Sequence, residues 1–78
     1  MFTNFKLNRQ IRRIKKNMSS REKAIFDFLY ERPDGVTKST LEKALGYKMS
    51  GWVISSFNEY GVSIKMKNKR YYIDEIFG

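Results

Sequence analysis

Val62-Ser63-Ile64-Lys65-Met66-Lys67-Asn68-Lys69-Arg70-Tyr71-Tyr72-Ile73 is the stretch that decides how this chain folds. Ile64 and Met66 alternate with Lys65 and Lys67. After Asn68-Lys69, Tyr71 and Ile73 alternate with Arg70 and Tyr72. A period of two marks strands with one wet face. With the turn at Asn68-Lys69, Lys67 faces Arg70, Met66 faces Tyr71, Lys65 faces Tyr72 and Ile64 faces Ile73. Every apolar residue of these pairs then lies on one face, so the register is self-consistent. Asn suits the first turn position, and Lys is a weaker second choice than Gly.

Upstream of this hairpin the period is 3.6. Ser50 is an N-cap candidate for a helix to about Tyr60, with Val53, Phe57 and Tyr60 inward and Gly61 as its stop. Before it, Tyr47-Lys48-Met49 reads as a short turn. Thr37 is the N-cap candidate of a shorter helix that holds Leu41, Ala44 and Leu45 and ends at Gly46. Ser19-Ser20-Arg21-Glu22 reads as a capping box. It predicts a helix from about Ser20 to Glu31, stopped by Pro33-Asp34-Gly35. Ala24, Ile25, Phe28 and Leu29 form its main apolar face, and Phe26 and Tyr30 a second stripe.

Residues 1–20 carry Lys6, Arg9, Arg12, Arg13, Lys15 and Lys16 and no acid; every acidic residue lies at or after Glu22. Leu7, Ile11, Ile14 and Met18 recur at helical spacing, with Lys6, Arg9, Arg12, Arg13 and Lys16 on the opposite side. Residues 1–18 are therefore a basic amphipathic helix or arm, and residues 19–78 the main domain. The arm's apolar stripe must be covered, and Phe26 and Tyr30 are the obvious acceptors. The contact forms either within one chain or across a homodimer through Leu7, Ile11, Ile14, Phe26 and Tyr30.

The chain has 78 residues, with 16 Lys and Arg against 8 acids, a net charge of +8 that points to a polyanionic partner. Hydrophobic residues at 41% support a folded globule. Cysteine is absent, which excludes disulfides and thiolate chemistry. Histidine is absent too, which removes the usual zinc ligand and general base. Asp27 with Glu31, and Asp74 with Glu75, come without a base or a phosphate loop. They read as surface charge, so no enzyme, cofactor or metal site is expected. No apolar run approaches the ~20 residues of a membrane span, and no secretory signal is visible. The expected location is the cytoplasm, with the nucleoid if the protein is DNA-bound.

The order helix, helix, tight turn, helix, basic hairpin resembles the winged helix-turn-helix domain of transcription regulators and related DNA-binding proteins. The resemblance covers about residues 19–75. It is carried by Val36-Thr37-Lys38-Ser39-Thr40-Leu41-Glu42-Lys43-Ala44-Leu45-Gly46, by Ser50 to Gly61, and by the hairpin from Val62 to Ile73. Gly after Leu at the end of the second helix, and Gly between third helix and wing, are typical of the family. Short, Lys-rich, single-domain members are similar to small phage, virus and plasmid regulators. The implied fold is α+β: a three-helix core, a C-terminal β-hairpin wing, and the basic N-terminal helix as an addition.

The implied function is transcriptional regulation by occupancy of double-stranded DNA. The third helix would enter the major groove, with wing and arm on flanking backbone. Two departures bear on this. The turn before the third helix is one residue longer than the commonest version if Val53 points inward. The third helix holds no Lys or Arg, which shifts the phosphate contacts to wing and arm.

The residues expected to meet nucleic acid are therefore spread over several elements. They are Arg9, Arg12, Arg13 and Lys16 in the arm, Thr37 and Lys38 at the second helix, and Lys48 and Ser50 before the third. Trp52, Ser55 and Ser56 follow on the third helix, and Lys65, Lys67, Lys69 and Arg70 on the wing. Trp52 has two readings, a contact to sugar or base and the core position usual for a lone Trp. The wing lysines would equally guard an exposed strand edge. Membrane-surface binding by the arm is disfavoured, because its stripe is narrow and lacks Trp. The alternative function is a winged-helix protein–protein interaction module, which suits a cation-free helix with outward Trp52 and Glu59. RNA binding is a further option, since a basic surface alone does not distinguish RNA from DNA.

Overall fold

The computed structural model describes the backbone of residues 4–77 and the side chains of residues 9–77. The order is α1 (Asn4–Lys16), α2 (Ser20–Tyr30), β1 (Val36–Thr37), α3 (Lys38–Leu45), α4 (Gly51–Tyr60), β2 (Val62–Lys67) and β3 (Arg70–Ile76). The class is α+β, with four helices and a three-stranded antiparallel sheet of order β1-β3-β2.

The hairpin has the register read from its alternation, with Lys67 opposite Arg70, Met66 opposite Tyr71, Lys65 opposite Tyr72 and Ile64 opposite Ile73. Asn68 and Lys69 both take positive φ, 53° and 64°, as a two-residue turn between right-twisted strands requires. Beyond Ile73 the register slips, so that Ser63 faces Glu75 and Asp74 is the extra residue of a bulge.

β1 is an addition to the sequence reading. Val36 pairs with Tyr71 and Thr37 with Arg70. Gly35 makes this approach possible. Its φ is +95°, and a Cβ there would lie 3.0 Å from Arg70 Cβ and 3.2 Å from the Tyr71 carbonyl oxygen. Thr37 then serves a second element. Its hydroxyl oxygen accepts from the Thr40 amide at 3.2 Å and caps α3. α3 ends at Gly46 in the left-handed region, as its position after Leu45 implies.

The core joins Ile25, Phe26 and Leu29 of α2 to Leu41, Val53, Phe57, Val62, Ile64 and Tyr71. Two expected faces are corrected. On α2, Phe26 is fully buried, while Phe28 and Ala24 are only half-buried. Phe26 lies between the Phe57 ring, 6.5 Å away, and the end of α1, where Lys15 Nζ is 6.0 Å from its centroid. On α3, Ala44 is exposed and Leu41 alone is fully inward. Met49, read as part of a turn, is buried between α3 and α4, and its amide donates to Glu42 Oε2 at 3.0 Å. The extra length of that connection is thus spent on one inward side chain. Ser50 occupies the N-cap backbone position of α4, but its side chain makes no capping bond.

α1 packs within the chain. Ile14 and Met18 are buried in the shared core and Ile11 is packed against it. Ile14 and Phe26 are therefore covered inside one chain, the first of the two contacts open to the stripe. Tyr30 is exposed; the Leu7 side chain lies outside the described residues. Among the described residues no helix is long and apolar enough to cross a membrane.

The capping box of α2 is formed as read. The Glu22 amide donates to Ser19 Oγ at 3.2 Å and the Ser19 amide to Glu22 Oε1 at 2.8 Å. Glu22 is also buried, and the Tyr60 hydroxyl donates to the same oxygen at 2.9 Å. One carboxylate thus ties the start of α2 to the end of α4. The Glu22 hydrogen bond, partial burial, and the charges of Glu22 and Glu59 push the Tyr60 hydroxyl above its ordinary value of 10.0. Tyr60→Phe is expected to cost about 1–2 kcal/mol in urea unfolding. The tie is fully present below pH 10.0 and is lost as pH rises through the higher folded value, because the unfolded phenol ionises first. The variant should therefore lose part of the wild-type decline in stability above pH 10.0. An identical alkaline decline in both proteins would deny the tie.

Candidate nucleic-acid interface

The wing presents Lys65, Lys67, Lys69 and Arg70, all exposed. Lys67 and Arg70 are directly opposed across the strands. Like charges in that position repel and destabilise a strand pair unless an anion lies over them. Lys65 is different, because the bulge at Asp74 turns a carboxylate to within 3.6 Å of its Nζ. The wing thus carries one paired cation, Lys65, and three that have no ion-pair partner among the described residues. Beside Lys67 and Arg70 runs an open groove of about 730 Å³, lined also by Pro33, Asp34, Asn68 and Tyr72.

α4 turns Gly51, Trp52, Ser55, Asn58 and Glu59 to solvent, the face expected from its inward residues. Trp52 is 59% exposed, which corrects the reading of this lone Trp as core. Ser56 is only half-buried and sits beside the core-facing Phe57 rather than on the outer face. The outer face of α4 thus offers an indole, a hydroxyl, an amide and a carboxylate, and no cation.

At the start of α3 the Thr37 hydroxyl is engaged, donating to Thr40 Oγ1 at 2.8 Å while it caps the helix. Capping accounts for Thr37, and Lys38 remains exposed beside it. Lys48 is exposed in the connection to α4, and Ser50 is half-buried.

On α1, Arg9, Arg12, Arg13 and Lys16 are exposed. Lys15 is instead paired with Asp27 at 2.7 Å. Ile11, Arg12, Lys15 and Lys16 line a groove of about 540 Å³ together with Lys23 of α2. Lys23 was missed in the sequence because it belongs to another helix, and only the docking of α1 brings it in. Among the described residues the ion pairs are Lys15–Asp27, Arg32–Glu31 and Lys65–Asp74. Arg9, Arg12, Arg13, Lys16, Lys23, Lys38, Lys43, Lys48, Lys67, Lys69 and Arg70 stand outside them. Two further arginines are stacked on rings, Arg21 at 5.1 Å from Tyr47 and Arg32 at 3.7 Å from Phe28.

No protein-family model matches the chain, and searches of curated proteins and of solved structures found no match either.

Proposed function

We propose that the chain is a winged helix-turn-helix protein that binds double-stranded DNA and regulates transcription by occupying its site. In this reading α2, α3 and α4 are the three core helices and the β2–β3 hairpin is the wing. The observation that carries it is the opposed pair Lys67 and Arg70 with Lys69 at the tip. Among the described residues these three cations have no ion-pair partner, and the repulsion of Lys67 and Arg70 weakens the hairpin. A run of phosphates would relieve that repulsion and release counterions. α4 supplies what base discrimination there is, through Ser55, Asn58 and Trp52, while Glu59 repels phosphate.

The exposure of Trp52 on a cation-free face favours a second reading, a protein-interaction module. Ser55→Asp separates the two. Ser55 is exposed on α4, so the variant should keep its helical circular dichroism. Its affinity for a duplex selected from a random pool is expected to fall by about tenfold or more, since a charge is placed against the groove. A folded Ser55→Asp protein with wild-type DNA affinity would remove α4 from the DNA interface and promote the interaction module.

A further inference from the structure

We infer that the groove beside the wing holds an unpaired guanine base of DNA, stacked on Tyr72 and hydrogen-bonded to Asp34, a step that rests on the DNA-binding reading above. Arg70 and Tyr72 share one face of β3, opposite Tyr71, which is buried, and Ile73, which packs on the core. Across the hairpin Lys67 stands opposite Arg70 and Lys65 opposite Tyr72. β3 is the middle strand of the sheet, so Tyr72 occupies the centre of its outer face, with Lys67 and Arg70 beside it. On the β1 side its neighbour is Gly35, which has no side chain to lay over it; a Cβ there would stand 3.7 Å from Tyr72 Cβ.

The other tyrosines all have packing partners. Tyr71 is buried, Tyr30 stacks on Phe26, Tyr47 packs against the core beside Arg21, and Tyr60 meets Phe57 and Glu22. Tyr72 is half-buried and stands outside the core cluster. Among the described residues it has no ring partner, and its hydroxyl makes no hydrogen bond. Pro33 and Asp34 line the groove from the loop before β1, and Lys67, Asn68, Arg70 and Tyr72 line it from the wing, around about 730 Å³. That lies within the ~300–1,000 Å³ of sites that take a small ligand.

An aromatic ring beside cations takes the face of a base on the ring and the adjoining phosphates on the cations. Inside a duplex both faces of a base are covered by its neighbours, so the ring selects a base that is unpaired and out of the stack. Asp34 separates this groove from a plain phosphate trough. Its carboxylate has no ion pair among the described residues and would repel a phosphate laid there. Against a base edge the same carboxylate is an acceptor with two oxygens side by side. Guanine is the base whose free edge offers two neighbouring donors, N1–H and the N2 amino group; cytosine, adenine and thymine each present one donor group.

The test titrates the full chain with one duplex in four forms: fully paired, with a single bulged guanine, with a bulged thymine, and with an abasic bulge that keeps the phosphates and lacks the base. Wild type is expected to bind the guanine bulge about tenfold more tightly than the paired duplex, with the thymine bulge between them. The abasic bulge should bind no better than the paired duplex. Tyr72→Phe should keep the preference for the bulge. Tyr72→Leu, apolar but without a flat ring, should lose it while holding the paired duplex within about threefold of wild type. Asp34→Ala should level the guanine and thymine bulges. The abasic bulge puts the same question to the wild-type protein, so the answer does not depend on how a variant folds. Equal wild-type affinity for bulged and paired duplexes would overturn the inference and leave duplex binding intact. So would a preference shared by the abasic bulge or kept by Tyr72→Leu, because it would then come from the flexibility of the bulged duplex. Equal wild-type affinity for the two bulged bases would overturn the assignment to guanine. No binding of wild type to any of the four forms would end the DNA-binding reading and the base site with it.

Discussion

Replacing Lys67, Lys69 and Arg70 together by alanine is expected to flatten the salt dependence of duplex binding by nearly three units of log–log slope. Each phosphate contact contributes about 0.9. At about 0.15 M salt the same three contacts correspond to roughly a hundredfold in affinity. The thermal midpoint should hold or rise slightly, since the opposed Lys67 and Arg70 no longer repel. Lys65→Ala should do much less, because Lys65 already has Asp74 at 3.6 Å. Titrations at several salt concentrations, with a melt of each variant, check this. An unchanged slope in the triple variant would take the wing off the nucleic acid.

Phe57→Ala should have the largest effect on folding. The ring is fully buried, 6.5 Å from Phe26 and 6.5 Å from Tyr60, and it joins α4 to α2. Deleting a buried Phe side chain typically costs about 3–5 kcal/mol. A chain this short has a total stability of only about 4–12 kcal/mol. The loss is a large share of that total, and it is read as a urea midpoint shifted far down with little change in slope. A shift under about 1 kcal/mol would mean that the core does not centre on this ring. DNA affinity should fall only in proportion to the unfolded fraction, because Phe57 faces away from the outer surface of α4.

The parts of this fold that were legible in the sequence are those fixed by local rules. The hairpin register follows from a period of two, and the cap of α2 from Ser19 and Glu22 at one spacing. The ends of α3 and α4 follow from Gly46 and Gly61. What was not legible depends on which element arrives next. Phe26 is central to the core because α1 reaches one side of it and Phe57 the other, and neither neighbour is visible from α2 alone. β1 is two residues long, too short to show any period. Met49 turns inward from a loop, where no periodicity applies. The interface follows the same division. The wing cations were legible by alternation, whereas the bulge that gives Lys65 to Asp74, and the docking that adds Lys23 to the arm, are tertiary. For Trp52 a single residue carries no pattern that separates core from surface.

Thr37 is at once the partner of Arg70 in the sheet and the cap of α3. The turn end of the wing therefore cannot swing unless the first turn of that helix comes undone. A hairpin on a free hinge would surrender its motion when it met a polyanion, and affinity would fall by that entropy. Here the motion is already given up when the chain folds. The wing meets its target as a fixed tooth set at one angle to α3, and the shape of the target, as well as its charge, is what it can register.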